Sequence, residues 1–136
     1  MFSLSSKSLY GLLAMIHLGR QGGKSVQIKE IADAYHISQN YLEQLLLSLR
    51  KGGLLKSQRG ANGGYLLERP PETIKVLEIL EILEGPVEIL RDTEGYESLN
   101  FFWEQLSTKI KGILSLSLKQ LTQELDEYHQ PINYVI

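Results

Sequence analysis

The sequence predicts a mainly α protein: a winged helix-turn-helix domain with a two-stranded wing, continued by a long C-terminal helix that pairs two copies of the chain. Three observations carry this. Residues 38–65 read SQNYLEQLLLSLRKGGLLKSQRGANGGY, in which Leu42, Leu45, Leu46 and Leu49 fall at the i, i+3, i+4, i+7 spacing of one apolar helix stripe. The same stretch then alternates apolar with polar residues on either side of a glycine-rich tip that holds one arginine. Finally, apolar residues recur at helical spacing from Leu99 to Tyr128.

Taken in order, residues 7–20 are apolar on most sides (Leu9, Tyr10, Leu12, Leu13, Met15, Ile16, Leu18) and predict a largely buried helix ended by Gly22-Gly23. Gly11, Ala14 and Gly19 let neighbours pack close, and His17 within this run is expected to be a satisfied, partly buried histidine rather than a ligand. Ile28, Ile31, Ala32 and Tyr35 mark a shorter helix whose start is weakly signalled, with Ser25 or Gln27 as its cap. His36-Ile37 is a tight connection into the next helix, which Ser38 is suited to cap.

At ~100° per residue, the face of that helix opposite its leucines carries Asn40, Gln44, Ser48 and Lys51, with Tyr41 beside them. Amides, hydroxyls and cations are the groups that read base edges and phosphates. Gly52-Gly53 ends the helix; residues 54–58 and 64–68 read as strands around the tip Arg59-Gly60-Ala61-Asn62-Gly63. Helix, strand, basic tip, strand is the order that offers one helix to a major groove and one cation to a minor groove.

Pro70-Pro71 ends the second strand, and residues 74–83 follow as a helix apolar on nearly all sides, stopped by Gly85-Pro86. Residues 88–96 form a short acidic loop. From about residue 97 the apolar positions Leu99, Trp103, Leu106, Ile110, Leu114, Leu118, Leu121, Leu125 and Tyr128 predict one unbroken helix over 97–128, read as a dimerisation helix, the alternative being a helix folded back onto its own subunit. The division expected is 1–70 for DNA binding, 71–96 for a linker helix and a loop at the sensor position, 97–128 for dimerisation and 129–136 for a tail.

Composition sets bounds on function. The 136 residues contain no cysteine, which excludes disulfides and thiolate catalysis, and no apolar run long enough to span a membrane. Ser3, Ser5, Ser6, Lys7 and Ser8 interrupt the start, so a signal peptide is not expected and a cytoplasmic location is. The net charge of −2 hides a segregation: residues 1–69 hold nine Lys or Arg against four Asp or Glu, and residues 70–136 hold five against twelve. A basic half suited to phosphate and an acidic half held away from it fit a DNA-binding module joined to an assembly element.

The expected base-edge or upper-groove residues are Gln39, Asn40, Tyr41 and Gln44; the expected phosphate contacts are Ser5, Lys7, Ser38, Arg50, Lys51 and Lys56. Arg59, with Asn62 in the same tip, is expected at the minor groove. Glu43 lies beside this face, where it can accept from cytosine, repel wrong sites or hold Arg50 or Arg59. An enzyme is not expected: the 60–64 loop lacks the Lys-Ser/Thr ending of a phosphate loop and leads into a strand, and no Ser, His and Asp set is motif-like. The rival reading is a winged helix used for protein contacts alone.

Four separated stretches carry a resemblance across essentially the whole chain: SKSLYGL at 6–12, ISQNYLEQL at 37–45, RGANGGY at 59–65 and LEGP at 83–86. In these the chain resembles the Rrf-two family of bacterial winged-helix transcription regulators, which implies a DNA-binding regulator acting as a homodimer on a palindromic operator, with a repressor expected. Leu9 departs from the pattern, since many relatives place a basic residue there. Iron–sulfur members of the family carry three cysteines in the loop that here spans 88–96; this chain has none, and His36 and His129 are no substitute, so no cofactor is expected. The branch that represses cysteine metabolism is more similar in this loop and in ending on isoleucine. That likeness implies a protein partner such as cysteine synthase, docking the tail at Ile136, the alternative being an ordinary apolar end packed on the dimer.

Overall fold

The computed structural model describes residues 3–61, 63–90 and 92–129. Asn62 and the tail residues 130–136, including Ile136 with its partner reading, lie outside them. Helix α1 (Ser6–Gly19) is followed by α2 (Ile28–Tyr35), α3 (Gln39–Lys51), strands β1 (Leu55–Gln58) and β2 (Gly64–Leu67), a short 3-10 turn at Pro71–Thr73, α4 (Val76–Glu84), a second 3-10 turn at Glu97–Leu99, α5 (Asn100–Ile113) and α6 (Leu118–Tyr128). The fold class is as the sequence predicts, a mainly helical winged helix-turn-helix with a two-stranded wing.

The leucine stripe of α3 is what docks it: Leu42, Leu46 and Leu49 are fully buried beside Met15 and Ala14 of α1 and Ile31 of α2. This core also takes in Ile79 and Leu83 of α4 and Leu118 of α6. Helices α4 and α6 therefore pack onto the helices that precede the wing. Between α2 and α3, His36 adopts φ 54°, the left-handed conformation that lets the chain reverse, and its amide donates to Ala32 O. Gln27 caps α2 without a side-chain hydrogen bond, in keeping with its poor aptitude for the role. His17 is satisfied on both nitrogens, by Tyr35 Oη at 3.2 Å and Glu30 Oε2 at 2.8 Å, which joins α1 to α2.

The wing pairs antiparallel with Leu55 opposite Leu67 and Gln58 opposite Gly64. A further bridge joins Tyr65 to Val26, each amide donating to the other's carbonyl at 2.8 Å, so the stretch before α2 forms a third edge of the small sheet. Close helix approach uses glycine where the sequence supplies it: a Cβ at Gly11 would collide with Leu83, and one at Gly52 with Ile82.

The unbroken helix expected over 97–128 is not what forms. A 3-10 turn, α5 and α6 occupy those residues, with a break over 114–117. Two physical reasons account for it. The stripe steps by four residues three times running, from Leu106 to Ile110, Leu114 and Leu118; each such step overshoots a helical turn by ~40°, so the stripe wanders off one face. Ser117 then restarts the chain as an N-cap, accepting from the amide of Gln120 at 3.0 Å. The freed backbone is satisfied elsewhere: Val76 N donates to Leu116 O at 3.0 Å, Leu77 N to Leu114 O at 2.8 Å, and Leu118 N to Ile74 O at 2.7 Å. This pairing also explains why α4 starts at Val76 rather than at Ile74, which is buried and extended.

Candidate nucleic-acid interface

With its leucines buried, α3 leaves Gln39, Asn40, Gln44, Arg50 and Lys51 exposed on the other side. Ser38 caps the helix through its side-chain oxygen, which accepts from the amide of Tyr41, so the first turn is fixed before any ligand arrives. The hydroxyl of Ser48 donates to Gln44 O at 3.1 Å and is turned onto its own helix, away from the reading role. Glu43 is exposed and makes no ion pair with Arg50 or Arg59 among the described residues, which leaves its readings as a discriminating acid.

Tyr41 is half-buried, and it joins two elements. Its hydroxyl lies 3.2 Å from Ser6 Oγ, and its ring meets Tyr10 edge-on with centroids 5.9 Å apart. This turns its ring and hydroxyl toward α1, and it brings the N-terminus of α1 to the first turn of α3. Ser5 and Lys7 are exposed there. Ser5 is already engaged: it caps α1 by accepting from Lys7 N at 3.2 Å, its amide donates to Glu84 Oε2 at 3.0 Å, and its hydroxyl donates to Glu84 Oε1.

The wing presents Lys56 and Arg59 to solvent. Its tip is closed by Gly63 N donating to Gly60 O at 2.9 Å, with Gly60 at φ 111°. The tip is held from behind by Gln27, whose Nε2 donates to Ala61 O at 3.4 Å, and its base is held where a Cβ on Gly64 would strike the carbonyl of Val26. Among the described residues, Arg50, Lys51, Lys56 and Arg59 form no ion pair, whereas Arg20, Lys29 and Arg69 are neutralised by Asp126, Asp33 and Glu78. Free cations beside an amide-bearing helix are what a phosphate backbone requires.

The hydrogen bonds from the Ser5 hydroxyl and amide hold the Glu84 carboxyl below its ordinary value of 4.5. Burial raises Glu78, but the amide of Lys75 and the guanidinium of Arg69 outweigh it, and its carboxyl is lowered as well. A carboxyl depressed by folding adds stability above its unfolded value of 4.5 and loses that contribution as pH falls through the folded value. Glu84→Gln is therefore expected to melt below the parent at pH 7, with the gap closing as pH falls below 4.5, as thermal melts over that range would register.

Several of these contacts are not readable from sequence. The Ser5–Glu84, Gln27–Ala61 and Val26–Tyr65 pairings join positions far apart in the chain, and no local pattern announces them. The break after α5 did carry a signal: Ser117 followed by Gln120 is a capping-box spacing.

The donors present do not fit an iron–sulfur cluster. Loop 86–99 offers carboxylates but no thiolate, and no three His, Asp or Glu among the described residues converge to hold a metal ion. Nor is any helix of the described residues long and apolar enough to cross a membrane.

Comparison with known proteins agrees with this geometry. A family model described as "Rrf2: Iron-dependent Transcriptional regulator" matches residues 4–129. The HTH-type transcriptional regulator CymR of Bacillus subtilis is 39% identical over 128 residues, covering 90% of this chain and 91% of its own. The HTH-type transcriptional regulator IscR of Cereibacter sphaeroides is 37% identical over 120 residues, covering 79% and 77%. Among solved structures, that of CymR, the global cysteine regulator of B. subtilis, superposes with a TM-score of 0.76 at 37% identity over 91% of this chain and 98% of the other. The structure of T. potens IscR superposes with a TM-score of 0.78 at 36% identity over 98% and 95%.

Proposed function

The chain belongs to the Rrf2 family of HTH-type transcriptional regulators, DNA-binding proteins and not enzymes, and from that premise we propose that it works without a cluster, as a homodimeric repressor on a palindromic operator. The observation that carries this reading is the two-sidedness of α3: four buried leucines on one face, and exposed Asn40, Gln44 and Lys51 on the other, with Arg50 at the flank and neither cation in an ion pair among the described residues. Each α3 enters a major groove with Gln39, Asn40 and Gln44 at base edges and Tyr41 above them. Ser5, Lys7, Ser38, Arg50, Lys51 and Lys56 meet phosphates, and the wing tip with Arg59 and Asn62 follows the neighbouring minor groove.

Two copies are held together through α5. Every residue of α5 is at least partly exposed, and Phe102, Ile113, Leu106, Leu99, Ile110 and Trp103 form one continuous apolar strip beside the acidic loop. A second copy is the occupant this face suits, because two α3 helices about 34–36 Å apart are what a palindrome of half-sites demands. In this reading residues 1–70 bind DNA, 71–96 form the linker helix and sensor-position loop, and the whole acts in the cytoplasm.

Arg59→Ala is expected to weaken specific binding by about 1–3 kcal/mol, read by fluorescence anisotropy on the operator at fixed moderate salt. Equal affinities would remove the wing from the interface. Retention on heparin and on random duplex that falls with salt separates a DNA binder from a winged helix used for protein contacts alone. The likeness to a global cysteine regulator supports one extension, control by cysteine supply through a protein partner such as cysteine synthase at the tail ending in Ile136. Pull-down of cysteine synthase by the full chain but not by a chain ending at residue 129 is the expected result.

A further inference from the structure

We infer that Glu84 is an internal competitor for the DNA phosphate at the N-terminus of α1, so that the end of α4 sets how tightly the protein holds a duplex. The inference rests on the DNA-binding reading above. The end of a helix that offers free amides is where an anion is stabilised, and here that place already holds one, the chain's own. One carboxylate oxygen of Glu84 takes the Ser5 amide at 3.0 Å and the other takes the Ser5 hydroxyl. Lys7 is close enough to favour the carboxylate further. All three residues are exposed, so a phosphate approaching Ser5 and Lys7 meets donors that are occupied and a negative charge beside them.

The position of this contact gives it reach. The Ser6 hydroxyl, one residue on, lies 3.2 Å from Tyr41 Oη in the first turn of α3, so the phosphate site and the reading helix share a seam. On the other side, three consecutive residues of α4 touch three parts of the DNA-binding unit. Ile82 lies against Gly52 at the end of α3, Leu83 against Gly11 in the middle of α1, and Glu84 on Ser5. Next comes Gly85 at φ 92°, where a Cβ would meet nothing within 4 Å, and then the loop that faces α5 across a cavity of about 950 Å³.

The test uses the full chain with a random-sequence duplex, titrated by fluorescence anisotropy from about 50 to about 200 mM salt. Glu84→Ala and the nearly isosteric Glu84→Gln are expected to bind about fivefold more tightly than the parent, with a steeper salt slope by about 0.9 for each phosphate gained. Adding Ser5→Ala to Glu84→Ala should return affinity toward that of the parent. The same Glu84→Gln protein melts lower at pH 7, and this split, less stable yet tighter binding, is what a mere buttress would not produce. Folded variants with the parent's affinity and slope, or weaker binding, would overturn the inference while leaving the DNA-binding reading intact. If neither parent nor variants bind the duplex at the lowest salt, the DNA-binding reading itself fails and this inference with it.

Discussion

Replacing Leu106 and Ile110 by glutamate is expected to turn the proposed dimer into a folded monomer and to lower operator affinity by at least about a hundredfold. Neither residue belongs to the buried core or packs against it, so the subunit keeps its own stability. Both lie on the apolar strip of α5, where two added carboxylates per copy would face two more across the interface, and burying unpaired charge is costly. The affinity falls because a tethered second subunit raises the effective concentration of its α3 at the second half-site, a gain of about 10²–10⁴ that vanishes on separation. Light scattering of the variant alone and anisotropy on the operator read the two effects. Retained dimerisation would move the contact between copies away from α5.

Leu46→Ala is expected to cost about 2–5 kcal/mol of unfolding free energy, a large share of the about 5–15 kcal/mol a domain commonly has. Leu46 is 0% exposed and lies on the buried face of α3 with Leu42, Leu45 and Leu49. Truncation leaves a cavity that the facing residues of α1 and α2 can only partly fill. Leu46→Met keeps most of the volume and should cost less than about 1.5 kcal/mol. Urea unfolding distinguishes the two. A loss near zero for the alanine variant would mean that this stripe does not dock α3.

The part of the fold legible in the sequence is the part encoded locally. Leu42, Leu45, Leu46 and Leu49 announce α3 and its buried face, Ser38 its start, and the glycines at 60, 63 and 64 the turn of the wing. The polar face of α3 is legible for the same reason, since whatever lies opposite a buried stripe must face water. What escapes is set by contacts between distant positions. The break after α5 is signalled locally at Ser117 and Gln120, but where it docks is not: the carbonyls of Leu114 and Leu116 accept from the amides of Leu77 and Val76, some forty residues away. The state of Ser5 depends on Glu84, 79 positions along, and without that partner Ser5 reads as a free phosphate ligand. Nor does the sequence tell that Tyr41, a base-edge or upper-groove candidate, has its ring against Tyr10 and its hydroxyl beside Ser6.

The segregation of charge along the chain has a counterpart in three dimensions. Among the described residues, Arg50, Lys51, Lys56 and Arg59 on α3 and the wing form no ion pair, while Asp126 and Glu78 of the acidic second half pair with Arg20 and Arg69. A protein of net charge −2 can then present a basic surface to DNA while its remaining surface is repelled from the phosphates, which favours one docking orientation.

Hydroxyl-radical footprinting of the purified protein on a pool of genomic fragments addresses the whole proposal at once. Two protected patches related by a two-fold axis, their centres one helical turn or a multiple of about 10–10.5 bp apart, with protection lost in an Asn40→Ala/Gln44→Ala variant, are what a pair of α3 helices in successive major grooves predicts. Uniform cleavage at low ionic strength, or a footprint indifferent to Asn40 and Gln44, would contradict it.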